Sequence, residues 1–212
     1  MQKKKILLIG GGGHCRSVLD TLLQSNTYAD IGIIDKKSGE ILGIPILGND
    51  DVLFTLREQG WSHAFITLGS VGDTSVRHKI YHTICNLGFE IPNIIDPTAV
   101  IAKDSRLRHG IYIGKRAVVN ANSSLEECVI VNTGAIVEHD CRVGAFSHIS
   151  PGAILCGGVS VGEDVHIGAG TSIKQQIKIG DTSIIGMGSN VVKDIPAGKV
   201  AYGNPCKVVK RV

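Results

Sequence analysis

One hexapeptide carries the densest chemistry in the chain: Val137-Glu138-His139-Asp140-Cys141-Arg142. Histidine is the natural general base near neutral pH, because its ordinary pKa lies there. A neighbouring carboxylate, Asp140 or Glu138, would orient the ring and stabilise the imidazolium. A second cluster lies near the amino terminus. Gly10 to Gly13 follow a short apolar run and precede a helical pattern. Backbone N–H groups at such a turn, helped by the helix dipole, can meet a phosphate. The turn is not a full G-x-G-x-x-G fingerprint, because Cys15 stands where the third glycine belongs. Asp35 closes the next apolar run, where an acid can accept a hydrogen bond from a ribose or base. An exposed turn aspartate before Lys36 and Lys37 reads equally well.

These residues need scaffolds, and the sequence supplies two. From Ile95 to Val191 every sixth residue is Ile, Leu or Val. A second column, four residues further on, is mostly small: Ala99, Ser105, Ile111, Ala117, Ser123, Val129, Ala135, Cys141, Ser147 and Ala153 open it. A six-residue period marks a β-solenoid, three hexapeptides to a triangular coil. The aliphatic column points inward from each side and the small column sits where sides converge. His139 falls between inward Val137 and Cys141, so it faces outward near a corner. Cys141 belongs to the inward column and is rejected as a nucleophile; outward Cys156 reads as an inert thiol. Gly114, Gly144, Gly162, Gly168, Gly180 and Gly186, just after inward aliphatics, are expected to supply the turn conformations of the corners.

The N-terminal third has another rhythm. Strands are expected over residues 4–9, 31–34 and 63–68, and helices over 14–23, 50–58 and 75–87. Alternation of this kind gives a small Rossmann-like parallel α/β domain. The expected organisation is residues 1–92 for that domain and 93–212 for a parallel β-helix with a C-terminal tail.

Composition agrees with this division. Aromatics are only 4% of the 212 residues, and glycine numbers 27. Phe54, Phe65 and Phe89 lie in the N-terminal third, and Phe146 alone in the solenoid. The net charge of +3 gives no electrostatic case for nucleic acid. The apolar run Ile6 to Ile9 is too short for a membrane span or a signal-peptide core, so a buried strand is expected and no membrane partner. The six cysteines include no CxxC pair, so no metal site is expected, and reduced thiols in a cytoplasmic protein are.

The run from Asn132 through Cys141, the following Gly144-Ala145-Phe146-Ser147-His148-Ile149-Ser150-Pro151-Gly152, the Gly12-Gly13-His14 loop, Pro45 to Asp50 and the Gly203-Asn204-Pro205-Cys206-Lys207 ending together resemble one family. It is the sugar acetyltransferases of the sialic acid O-acetyltransferase and bacillosamine N-acetyltransferase type, and the resemblance covers essentially the whole chain. It implies a left-handed β-helix and acetyl-CoA as co-substrate. His139 would be the base, Asp140 would raise its basicity, and Gly157 would offer an N–H to the oxyanion. His148, Ala169, Met187 and Lys207 would contact acetyl-CoA. The basic tail (Lys193, Lys199, Lys207, Lys210 and Arg211 against Asp194) suits coenzyme A phosphates or reads as a solvated terminus. Gly12, Gly13, His14, Asp35, Lys36, Gly69 and Asn132 would hold the acceptor. The resemblance also implies a homotrimer with active sites between subunits.

The favoured reading is N-acetylation of a nucleotide-linked amino sugar. O-acetylation of sialic acid or a related sugar uses the same scaffold. A non-enzymatic assembly or sensing solenoid would be indifferent to His139. A dehydrogenase founders on the missing third glycine.

Overall fold

The computed structural model of the chain describes residues 4–211, with Arg211 by its backbone alone. The basic start before Lys4 and the Arg211 side chain lie outside the described residues. Two compact units result. The first runs to Gly69 and resumes over Ser75–Ile94; the second takes Ser70–Thr74 and continues from Ile95.

In the first unit β1 (Lys5–Ile9), α1 (Gly13–Ser25), β2 (Asp30–Ile34), β3 (Glu40–Ile41), β4 (Ile44–Gly48), α2 (Leu53–Glu58), β5 (His63–Ile66) and α3 (Ser75–Asn86) follow in order. The sheet order is β3-β4-β2-β1-β5, with β1, β2, β4 and β5 parallel. β1 is KILLI because a strand covered on both faces needs a continuous apolar run. α1 buries Cys15, Val18, Leu19 and Leu22 on one stripe and stops at Asn26, whose φ of 47° no helix continues.

The β3–β4 hairpin is absent from the sequence reading. Leu42 and Gly43 form its two-residue turn with φ of 50° and 77°, the left-handed pair that matches strand twist. Exposed Pro45 masks the pattern; it is tolerated because β3 and β4 meet only at the sheet margin.

The second unit is the solenoid. Its three sheets are named here by the inward residue each shows in one coil: the Val137, Val143 and Ile149 faces. Residues 18 apart pair in parallel, as Ile136 does with Val118 and Ile154. Coil-to-coil spacing is therefore that of neighbouring strands, about 4.8 Å. Both expected columns are inside: Val119, Val137, Leu155 and Ile173 are fully buried, and so are Ala135, Cys141, Ser147 and Ser183. Buried serines avoid a desolvation penalty by donating to backbone carbonyls, as Ser123 Oγ does to Glu138 at 2.7 Å and Ser147 Oγ to Gly162 at 2.7 Å.

The expected role of the corner glycines is corrected. None of Gly114, Gly144, Gly162, Gly168, Gly180 and Gly186 has a positive φ. The left-handed residues sit two positions later, as at Arg116, Asn122, Asp140 and Phe146. The glycines are needed for close approach instead: a Cβ on Gly144 would lie 2.5 Å from the Gly162 backbone. Phe146, outside both inward columns, is nonetheless buried. The tail beyond Lys199 is an ordered antiparallel hairpin, Lys199–Gly203 with Cys206–Arg211, that extends the Ile149 face.

Candidate active site

Strand Ile136–Val137 of the Val137 face ends and Arg142–Val143 of the Val143 face begins; His139 lies at the corner between them. Its side chain is 61% exposed and that of Asp140 55%. His139 Nδ1 meets Asp140 Oδ2 at 2.8 Å. That bond raises the imidazole pKa above its ordinary value and lowers that of the carboxyl. With Nδ1 protonated and held by a carboxylate, Nε2 is the free basic nitrogen.

One coil on, Gly157 lies directly over the ring. A Cβ there would sit 2.6 Å from His139 Nε2 and Cε1, so a side chain at this position would displace the ring. Its N–H has no acceptor among the described residues. At three equivalent positions the N–H is taken by the preceding side chain, Ala121 by Asn120 at 2.9 Å, Thr133 by Asn132 at 2.8 Å and His139 by Glu138 at 3.3 Å. Cys156 precedes Gly157, and its thiol makes no such bond. Cys141, fully buried, has its thiol pushed up to about 11 by desolvation and donates to the Cys156 carbonyl at 3.3 Å. It is no nucleophile.

A second cluster occupies the Ile149 face. His148 Nδ1 meets the Ser70 carbonyl at 3.3 Å, and Asn132 Nδ2 meets His148 Nε2 at 3.2 Å. These partners define a neutral ring, Nδ1–H donating to Ser70 and Nε2 accepting from Asn132. His166 stacks edge-on, with centroids 5.2 Å apart. Burial lowers its pKa, opposed by the nearby Ser70 backbone, and its buried Nδ1 meets no hydrogen-bond partner among the described residues. Segment Ser70–Thr74 is strapped here at its far end too, Thr74 Oγ1 donating to Asp164 at 2.6 Å. Val71, His148, His166, Ala169, Ile184 and Met187 are among the residues around a largely apolar groove of 420 Å³.

His148, Ala169 and Met187 are thus brought together, and Lys207 lies exposed in the same sheet. Asn132 joins His148, not His139. His139 and the groove lie at opposite edges of the Val137 face, so one chain does not bring them together. The sequence reading missed His166, the Ser70 strap and Asn122, which donates to Asp140 at 2.7 Å. Comparing residues 18 apart would have found His166 and Asn122, which stack with His148 and Asp140.

In the first unit, Gly12, Gly13, His14 and Gly69 gather at the carboxyl ends of β1 and β5. This is where strand order reverses direction, the place where open α/β sheets bind ligands. Gly12 caps α1 with no side-chain bond, and a Cβ on Gly12 or Gly13 would meet nothing within 4 Å. Asp35 accepts from Gly11 N–H at 2.6 Å and Lys37 N–H at 3.0 Å, which lowers its pKa and clamps the loop to β2. Lys36 lies in a neighbouring cleft of 450 Å³. His14 retains some exposure, but its Nε2 is closed off from solvent. Burial first and Arg77 second bring its pKa to about 4.

Comparison with known proteins follows the same division. Residues 5–84 match the PglD N-terminal domain, and residues 134–175 and 158–193 the hexapeptide repeat of succinyl-transferase. No curated protein matches. Among solved structures, PerB from Caulobacter crescentus, in complex with CoA and GDP-perosamine, is 37% identical over 97% of both chains, with TM-score 0.92. The acetyltransferase domain of PglB from Neisseria gonorrhoeae, in complex with acetyl coenzyme A, is 35% identical over 98% of this chain and 100% of that one, also at 0.92. WeeI from Acinetobacter baumannii, 22% identical over 97% of this chain and all of its own at 0.80, shares the fold. The likeness makes the β-helix left-handed, against the usual crossover hand.

Proposed function

The chain belongs to the PglD-type hexapeptide-repeat sugar acetyltransferases, and from that premise we propose that it acetylates the amine of a nucleotide-linked amino sugar. The observation that carries the mechanism is the His139–Asp140 pair under the free Gly157 N–H. His139 Nε2 takes the proton that the amine sheds as it attacks the thioester carbonyl. Asp140 stabilises the imidazolium. The Gly157 N–H donates to the oxyanion of the tetrahedral intermediate, a preorganised bond worth about 3 kcal/mol. The thioester is already activated, so no covalent enzyme intermediate is needed.

The groove beside His148 fits the pantetheine arm of acetyl-CoA: apolar walls, neutral histidines and the Lys207 hairpin in the same sheet. The first unit's Gly12–His14 turn, Gly69, Asp35 and Lys36 take the nucleotide sugar. In PerB the bound acceptor is GDP-perosamine. To Asn132, bonded to His148, we assign a contact with the acceptor.

The working unit is a homotrimer. Outward residues of the Val137 face are apolar over four coils (Val100, Val118, Ile136 and Ile154) before turning polar at Ser172 and Asn190, whereas those of the Val143 face include Arg106, Arg142 and Lys178. An apolar column of that length calls for cover. Three copies turned about an axis with this face inward bring each His139 corner against the neighbour's groove. This completes the site that one chain leaves divided. No helix among the described residues is long and apolar enough to cross a membrane, and all six cysteines are free thiols, which fits a reducing cytoplasm.

The test is coenzyme A thiol release from acetyl-CoA across nucleotide-linked amino sugars and free sialic acids. Turnover with amino acceptors is expected. Turnover confined to hydroxyl acceptors would replace this reading with O-acetylation.

A further inference from the structure

Asp140 is not held by His139 alone. Its Oδ2 serves His139 Nδ1 while its Oδ1 accepts from Asn122 Nδ2 at 2.7 Å. Asn122 stands one coil before Asp140 at the same corner position, both with left-handed φ, 55° and 61°. Its amide has a fixed sense. Asn122 Oδ1 accepts from Arg106 Nη2 at 3.3 Å, so the donor end must face the carboxylate. Turning the amide over would set oxygen against carboxylate and NH2 against guanidinium. The Asn122 backbone N–H is anchored separately, to Asp104 Oδ2 at 3.2 Å.

We infer that Asn122 is a positioning residue that holds Asp140 on His139 Nδ1, with Arg106 setting the direction of the amide, so that Nε2 faces Gly157 as the free base. This deepens the proposed base role of His139 and rests on it. The need is physical. A carboxylate more than half exposed exchanges its hydrogen bonds with water and swings among rotamers. A second anchor from the adjacent coil removes that freedom. A neutral amide does so without adding a charge that would compete with the imidazolium. The charged groups around His139 are Asp140 and Glu138, with Arg106 and Asp104 one step beyond through Asn122. Glu138 is occupied separately, by Asn120 Nδ2 at 3.0 Å and the His139 N–H.

Two variants test the assignment. Asn122→Gly deletes the amide and keeps the left-handed backbone free of strain. Asn122→Asp keeps the shape and turns an oxygen toward the Asp140 carboxylate. The readouts are kcat, KM for acetyl-CoA, and titration of the His139 ring by NMR, assigned with His139→Ala. For Asn122→Gly we expect kcat to fall roughly ten- to a hundredfold with KM unchanged. The His139 pKa falls, because its carboxylate is no longer fixed on it. For Asn122→Asp kcat also falls, but the pKa rises, since an added negative charge favours the imidazolium. Opposite shifts separate positioning from general loss of structure. Wild-type kcat together with an unmoved titration in Asn122→Gly overturns the assignment. Full turnover in His139→Ala overturns the base role instead, and the ring titration still decides whether Asn122 holds Asp140.

Discussion

Two histidine clusters on one repeat have been given opposite chemistries. At the corner between the Val137 and Val143 faces, His139 is exposed, paired with a carboxylate and raised in pKa. On the Ile149 face, His166 is half-buried and lowered in pKa, and it stacks edge-on against His148. His139 stands in a corner turn and His166 in a strand, and to that difference is added what adjacent coils supply. Asn122 and Gly157 flank the first site, one on each side, and stay polar and open. The Ser70 strap covers the second. A solenoid can therefore tune a side chain by the residues 18 before and after it, leaving the local turn untouched.

The largest effect that could break this contrast is at the base. His139→Ala should lower kcat by roughly 10²–10⁴ with the elution volume on gel filtration unchanged, measured by thiol release. Near-normal turnover would make the exposed corner no more chemical than the covered face. Next comes the oxyanion donor. Cys156→Asn places an acceptor where Asn120 and Asn132 cap the N–H that follows them. We expect a roughly tenfold to hundredfold loss in kcat as the Gly157 N–H is consumed. Cys156→Ala should stay close to wild type. Equal losses in the two would show that Cys156 matters for packing alone.

On the covered face the effect should be in binding. His166→Ala removes the ring that stacks on His148 and part of the groove wall, so KM for acetyl-CoA should rise about tenfold while kcat holds. A fall in kcat alone would erase the distinction between the clusters. The pH profile sharpens it further. Because Asp140 raises His139, kcat should decline as pH falls through a value above 6.5, and this limb should move down in Asp140→Asn.

The smallest effect is on stability, in the first unit. His14 has a folded pKa near 4 against 6.5 in the unfolded chain. The unfolded state therefore binds the proton first, and stability is lost as pH falls from about 6.5 towards 4, by up to about 3 kcal/mol. Acid titration of the thermal midpoint should show this loss, and His14→Gln should flatten it.

Much of this was legible from residue order because a β-helix writes its interior at a fixed period. The six-residue column placed Val137 and Cys141 inside and hence His139 outside, and the composition placed the aromatics in the other domain. What stayed hidden depends on neighbours across coils or on special backbone. The period says where Gly144 lies but not that Gly162 backbone rides on it, so close approach was read as turn conformation. The β3–β4 hairpin hid behind Pro45, and the Lys199–Arg211 hairpin behind a run of basic residues. The Ser70–Thr74 strap has no periodicity at all, since single hydrogen bonds to His148 and Asp164 hold it.

In the proposed trimer, the split between the His139 corner and the His148 groove would make each active centre a mosaic. A preparation lacking every base would be nearly silent, and another lacking both groove histidines would be nearly silent at acetyl-CoA far below its raised KM. Unfolded together and allowed to reassemble at random, they should recover about a quarter of the normal centres, because each centre draws one edge from each of two chains. Two dead proteins would make a live one.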